Sequence, residues 1–324
     1  MDMRKNKHRI IKRLALWLIA LMLFTFACAC RPEEPDEGDQ IDLSDPSGAE
    51  NIVTAAQLLL ALEEGNSDTL TLSASIDLGD EMLKLDEENA SLTIIGNGNT
   101  ISGNGDCIIR LASGCSLTLE DITLNAGSNA IGCLGGASIA GSATIKAVAH
   151  AIYSMGDVRV GGGSRLFISS NVGNGINAAG LELKEDARVR AEGGLGGVSV
   201  TRDGIVLNVG SVLDSNTNEN YNALKCEGTL VMYDGSKLIV KNNGEYHGAE
   251  VSEIIVEGTV GIEAQGGSKG VGLFMFRIDE AINVVGYCEP ELRFEVGNGG
   301  ISFYESASEF PTPTPPMETE ETPS

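Results

Sequence analysis

From Leu70 onward the chain alternates apolar and polar residues in short runs, and the runs repeat. The clearest copy spans Ala151 to Ser169. Ala151-Ile152 opens an extended segment that breaks at Gly156, and Val158-Arg159-Val160 alternates. Gly161-Gly162-Gly163-Ser164 then turns, and Leu166-Phe167-Ile168 alternates again. A period of two is the strand signature, whereas a helix repeats every 3.6 or so residues. The same order recurs in Gly175-Ile176, Gly180, Leu181-Glu182-Leu183 and Val189. It recurs once more in Ala223-Leu224, Gly228, Leu230-Val231-Met232, Gly235-Ser236 and Leu238-Ile239-Val240.

Seven copies open on a small residue followed by an aliphatic one. They are Ala130-Ile131, Ala151-Ile152, Gly175-Ile176, Gly197-Val198, Ala223-Leu224, Gly248-Ala249 and Gly270-Val271, spaced by 21, 24, 22, 26, 25 and 22 residues. A unit of this length cannot bury its own apolar face, so neighbours must stack. Three short strands per copy, each followed by a glycine-rich corner, predict an all-β fold: a right-handed parallel β-helix, a single-stranded solenoid of about 22–24 residues per rung. A leucine-rich repeat needs a fixed Leu and Asn framework, and a propeller blade needs about 40 residues. Neither matches.

The repeat places two aliphatic columns inside, Val158, Leu181, Ile205, Leu230, Ile254 and Val160, Leu183, Leu207, Met232, Val256. Burial of each such side chain contributes roughly 1.5–3 kcal/mol, enough for the stack to hold the fold. Between Ser47 and Phe310 the only proline is Pro290, as expected where nearly every backbone N–H joins a ladder. Thr54 to Glu64 reads as the one helix, with Thr54 as N-cap and Leu58, Leu59 and Leu62 as its apolar face. It is expected to cap the open end of the first rung, where unpaired ladder groups invite aggregation.

The ends carry a different pattern. Arg4, Lys5, Lys7, Arg9, Lys12 and Arg13 precede an uncharged apolar run, Leu14 to Phe26, which fits a secretory signal better than a membrane span. Ala27 and Ala29 stand three and one positions before Cys30, as in a bacterial lipoprotein signal. Residues 1–29 are read as that signal, with Cys30 lipidated (Cys28 the alternative), or as a plain secretory signal cut after Ala29. Residues 30–50 carry eight acids and three prolines and read as an unfolded tether. The β-helix domain is assigned to 51–304. Residues 305–324 form a Pro/Thr/Glu-rich tail with no apolar stretch. The expected location is extracytoplasmic, lipid-anchored at the bacterial cell surface, with membrane contact through that lipid alone.

Without residues 1–29 the chain has 16 Lys and Arg against 45 Asp and Glu, a net charge of −29. Nucleic acid is excluded as a partner, because it requires a basic surface. Cys107, Cys115, Cys133, Cys226 and Cys288 include no CxxC pair, which argues against zinc. Cys133 and Cys226 fall at one position in rungs four apart, roughly 19 Å at strand spacing, too far for a disulfide. Buried thiols are expected. GxSxG, HExxH, P-loop and EF-hand motifs are all missing, and Gly96-Asn97-Gly98-Asn99 reads as a corner.

Ala55 to Gly103, with its capping helix, Leu92-Thr93-Ile94-Ile95 and Gly98-Asn99-Thr100-Ile101, resembles the N-terminal part of the pectate-lyase-like superfamily of secreted β-helices. More narrowly, Gly175-Ile176-Asn177-Ala178-Ala179-Gly180 and Ala151-Ile152 to Gly156 are similar to bacterial surface β-helix lipoproteins that bind plant polysaccharide. The resemblance implies a carbohydrate ligand, and calcium as the one cofactor to consider. That family often carries an aspartate before the Gly-Ile pair, where this chain has Asn174, with His150 and His247 in other rungs. These three are the weak metal candidates, although a corner ladder of hydrogen bonds is the expected role of Asn129, His150, Asn174, Asn222 and His247.

The outward first-strand column reads Gly132, Tyr153, Asn177, Ser199, Lys225, Glu250, and Tyr153, Asn177, Lys225 and Glu250 are the candidate ligand-binding residues. The neighbouring column, Arg159, Glu182, Val206, Val231, Ile255, pairs no carboxylates on adjacent rungs, and short rungs leave little room for a walled cleft. No catalytic residue is assigned. The expectation is a monomeric, non-enzymatic surface lipoprotein binding cell-surface or plant-type polysaccharide or a surface protein. A lyase or glycoside hydrolase with a degenerate site and a structural spacer are the alternatives.

Overall fold

The computed structural model describes residues 51–63, 68–258, 260–268, 272–275, 284–285, 296–297 and 300–301. The segments read as signal, tether and tail, with Cys28, Cys30, Cys288 and Pro290, lie outside the described residues. The alternating runs stack as a right-handed parallel β-helix of about eight turns. On its first face Leu83, Ile109, Ile131, Ile152, Ile176, Val198, Leu224, Ala249 and Leu273 follow one another as ladder partners. All are buried. On the second face the columns from Val158 to Ile254 and from Val160 to Val256 pair in the predicted order. The third face adds Leu166, Val189, Leu213, Leu238 and Ile262. Every inward position belongs to one continuous core, so each turn is held mainly by its two neighbours.

Helix α1 (Ala55–Glu63) closes the N-terminal end. Thr54 Oγ1 accepts from the Gln57 N–H at 3.3 Å, and Gln57 Oε1 accepts from the N–H groups of Val53 and Thr54 at 3.0 and 3.2 Å. This reciprocal pair is a capping box. Leu58 is fully buried in the solenoid core, and Leu59 and Leu62 pack against it.

The corners differ from the expectation of three separate strands. Ser116–Ala126 and Ala137–Ala147 run from the second face into the third. Asn174–Leu183, Gly196–Leu207, Leu224–Tyr233 and Ala249–Glu257 run from the first into the second. Register shifts between Ala178 and Gly180, Val200 and Ile205, and Cys226 and Thr229 mark the bends. A β-bulge turns the strand while pairing continues on both sides, so the ladder does not stop at Gly180 or Gly228. Gly204 sits at φ +86°, and a Cβ there would lie 2.3 Å from the Thr229 carbonyl oxygen.

The last repeat is also corrected. Ala249 pairs with Leu273, so the seventh copy is Gly272-Leu273 and not Gly270-Val271. The small-then-aliphatic pair occurs twice within Gly270-Val271-Gly272-Leu273. Alternation of period two does not choose between frames two residues apart.

Cys107, Cys115, Cys133 and Cys226 are free and buried. Burial pushes the Cys133 thiol up to about 12 and the Cys226 thiol to about 11. Such thiols stay protonated and act as small apolar side chains.

Candidate polar groove and corner ladder

The first-face column stacks as read: Tyr153 beside Asn177, then Ser199, Lys225, Glu250 and Phe274. Its charged members are answered from within the protein. Lys225 Nζ donates to Glu227 Oε1 at 2.7 Å, and this bond above all raises the lysine pKa. Glu250 Oε2 accepts from the Asn222 side-chain amide. Tyr153 is 38 % exposed, and its ring centroid lies 5.6 Å from that of His150. His247 stacks on Phe274 at 4.6 Å with 8° between the ring planes. Two aromatic pairs thus flank a run of short or internally paired groups. The outward stripe Val206, Val231, Ile255 is also in register, with Val206 and Val231 half-buried.

The three metal candidates are not brought together. His150 and His247 lie four turns apart, roughly 19 Å at strand spacing. His150 Nδ1 accepts from the Asn174 N–H at 3.0 Å, while the His150 N–H donates to Asn129 Oδ1 at 3.0 Å. The His247 N–H donates to Asn222 Oδ1 at 3.2 Å. The side chains of Asn129, His150 and Asn222 thus each satisfy a backbone N–H of a neighbouring turn, which is a corner ladder. Burial holds both imidazoles below their ordinary pKa. Among the described residues no three His, Cys, Asp or Glu side chains converge as a metal site.

A second ladder closes the end of the third face, where Ser170, Gly193, Thr217 and Asn242 occupy one column. Ser170 Oγ donates to the Ala149 carbonyl, and Thr217 Oγ1 donates to the Gly193 carbonyl at 2.8 Å. Asn242 Nδ2 donates to the carbonyls of Tyr221 and His247 at 2.6 and 2.9 Å. These buried groups tie down the loops that return the chain to the first face.

Beside that ladder lies a groove of about 480 Å³, crossing four turns. Its wall is the outward column Ser169, Glu192, Asn216, Lys241, continued by Asn171, Asn218 and Asn243. Gly193 and Gly194 contribute backbone alone. A Cβ on Gly194 would come within 2.5 Å of the Asn171 carbonyl oxygen, so the loops close on each other only because it is glycine. Arg190 donates to Glu192 at 2.6 Å and faces Asp214 at 3.8 Å, and Asn216 donates to Asp214 at 2.7 Å. Lys241 is in no ion pair among the described residues. The groove thus offers amide, hydroxyl and ammonium groups, with Glu192 already held by the Arg190 guanidinium and Glu219 as its second carboxylate.

The sequence reading missed this face. Its available signal was the recurrence of Ser169, Glu192, Asn216 and Lys241 at one place in successive turns. On the loops just past the groove Tyr221 and Tyr246 hold equivalent positions one turn apart, each 51 % exposed. Comparison with protein-family models, with curated proteins and with solved structures finds no match, so the residues themselves carry the functional reading.

Proposed function

We propose that this protein is a non-enzymatic, lipid-anchored surface protein whose β-helix binds a polysaccharide chain along the third-face groove. The supporting observation is the groove itself, a polar trough over four turns whose wall repeats hydrogen-bonding side chains at the strand spacing. A linear polymer of repeating hydroxyl groups is the ligand that matches such a wall. Of the two carboxylates that line the groove, Glu192 and Glu219, Glu192 is paired with Arg190, which supports a binding role for it over an acid–base one. This supports binding without turnover.

The test is a polysaccharide array probed with the full chain, followed by a reducing-end and unsaturated-product assay on every hit. Retention with no new chain ends supports the reading. Released product would replace it with a lyase or hydrolase, and silence across the array would leave a structural spacer. The anchor is tested separately: Cys30→Ser is expected to move the protein from the membrane fraction to the soluble one. Release by Cys28→Ser in its place would move the lipid to Cys28.

A further inference from the structure

We infer that Tyr221 and Tyr246 form an aromatic ledge on which sugar rings of an uncharged polysaccharide stack while its hydroxyls reach the groove. This rests on the groove as the binding site and names the class of ligand.

The two tyrosines are related by one turn. Leu224 pairs with Ala249, and the His247 N–H bonds to Asn222 Oδ1, so the loops 218–223 and 243–248 lie one above the other. Turns are roughly 4.8 Å apart, which places the backbone positions of the two tyrosines on neighbouring rungs of one surface. Both loops are pinned by a single buried side chain: Asn242 donates to the Tyr221 and His247 carbonyls and accepts from the Gly244 N–H at 2.7 Å. Next to Tyr246 in the chain, the His247 ring is stacked on Phe274. The backbone that carries each tyrosine is therefore set before any ligand arrives, which lowers the ordering cost of binding.

Half-exposed tyrosines at equivalent points on two fixed loops are a poor arrangement for stability, since each leaves apolar ring surface in water. Beside a polar groove they make the other half of a sugar site. A sugar ring presents an apolar face to an aromatic plane and hydroxyls at its edges, and here the groove residues Asn218 and Asn243 precede the tyrosines on the same loops. Charge decides between neutral and acidic polymers. Glu219 and Glu245 flank the ledge, and the chain without residues 1–29 carries −29. A polyuronate would approach against that field, while a neutral glycan is indifferent to it.

The experiment is affinity electrophoresis of the full chain in gels containing lichenan, xyloglucan or amylopectin as neutral probes and polygalacturonate as the acidic one. Wild type is expected to be retarded by at least one neutral polymer and less by polygalacturonate. Tyr221→Ala and Tyr246→Ala should each weaken binding by about 5- to 150-fold, the range given by stacking of about 1–3 kcal/mol. The Phe variants at either position should stay within about threefold, because the ring is kept. Ala variants that bind like wild type, or stronger retardation by polygalacturonate, would overturn the ledge. If Asn216→Ala or Lys241→Ala abolishes retention while both Tyr→Ala variants keep it, the groove stands and the ledge falls. No retardation of wild type by any of the four polymers overturns both.

Discussion

The side-chain amide of Asn242, fully buried, donates to the backbone carbonyl of Tyr221 on the preceding turn at 2.6 Å. It holds the His247 carbonyl and the Gly244 N–H as well, so one residue satisfies three backbone groups of two loops. Asn242→Ala should therefore cost about 1–3 kcal/mol for each backbone group left dry and unpaired, less whatever water can reach. Urea unfolding monitored by circular dichroism checks this. A loss under about 0.5 kcal/mol would mean that the loops hold themselves.

Ser211 and Ser236 present the opposite case. They occupy equivalent positions on successive turns, both are buried, and neither hydroxyl has a partner. A buried unpaired hydroxyl costs about 1–3 kcal/mol, so Ser236→Ala should leave stability unchanged or raise it by up to that amount. A clear fall in the urea midpoint would show that the hydroxyl is satisfied in solution.

Two glycines separate backbone strain from crowding. Gly163 has φ +68° with nothing within 4 Å of an added Cβ, whereas Gly204 has φ +86° with the Thr229 oxygen 2.3 Å away. Gly163→Ala should cost about 1–2 kcal/mol, the left-handed conformation alone. Gly204→Ala should cost more than about 4 kcal/mol or prevent soluble expression, because the bulge must move. Equal effects would show that the bulge is free to relax.

The corner histidines give an acid dependence. Burial depresses the folded-state pKa of both His150 and His247 below the ordinary 6.5. Groups depressed on folding contribute stability that is present above the unfolded value and lost as pH falls through the folded one. Stability should thus decline from about pH 6.5 downward, before carboxylates add their part. The double variant His150→Asn, His247→Asn puts into both corners the residue already found at Asn129, Asn174 and Asn222. Its thermal midpoint should be flatter than that of wild type between about pH 7 and 5. Parallel curves would show that the imidazoles are equally accessible to protons in both states.

The inward columns were legible because alternation leaves Leu181, Ile205 and Leu230 only one face to occupy once turns must stack. Ile205→Asp, with an unpaired carboxylate in that dry column, is accordingly expected to unfold the protein. The bends were not legible: a bulge at Val200/Ile205 changes pairing without changing the pattern of apolar residues. The first-face residues Lys225 and Glu250 were read as candidate ligand-binding groups. Their partners Glu227 and Asn222 answer them, and Glu227 is an i+2 neighbour that shares the same side of a strand and could have been seen. The groove was hidden for another reason. Ser169, Glu192, Asn216 and Lys241 look like any outward polar row, and only the close approach of loops at Gly193 and Gly194 recesses them.

Stacking by turns also makes the molecule a ruler. Because each turn touches mainly the next, duplication of one whole turn would lengthen every column by a single side chain and leave the remaining contacts as they are. Insertion of one residue would instead exchange inward and outward positions until the next corner absorbed it. Length along the axis can therefore change in steps of roughly 4.8 Å without redesign of the core. The reach of a surface laid along that axis, and with it the number of repeating units it can read, is then set by how many turns the gene encodes.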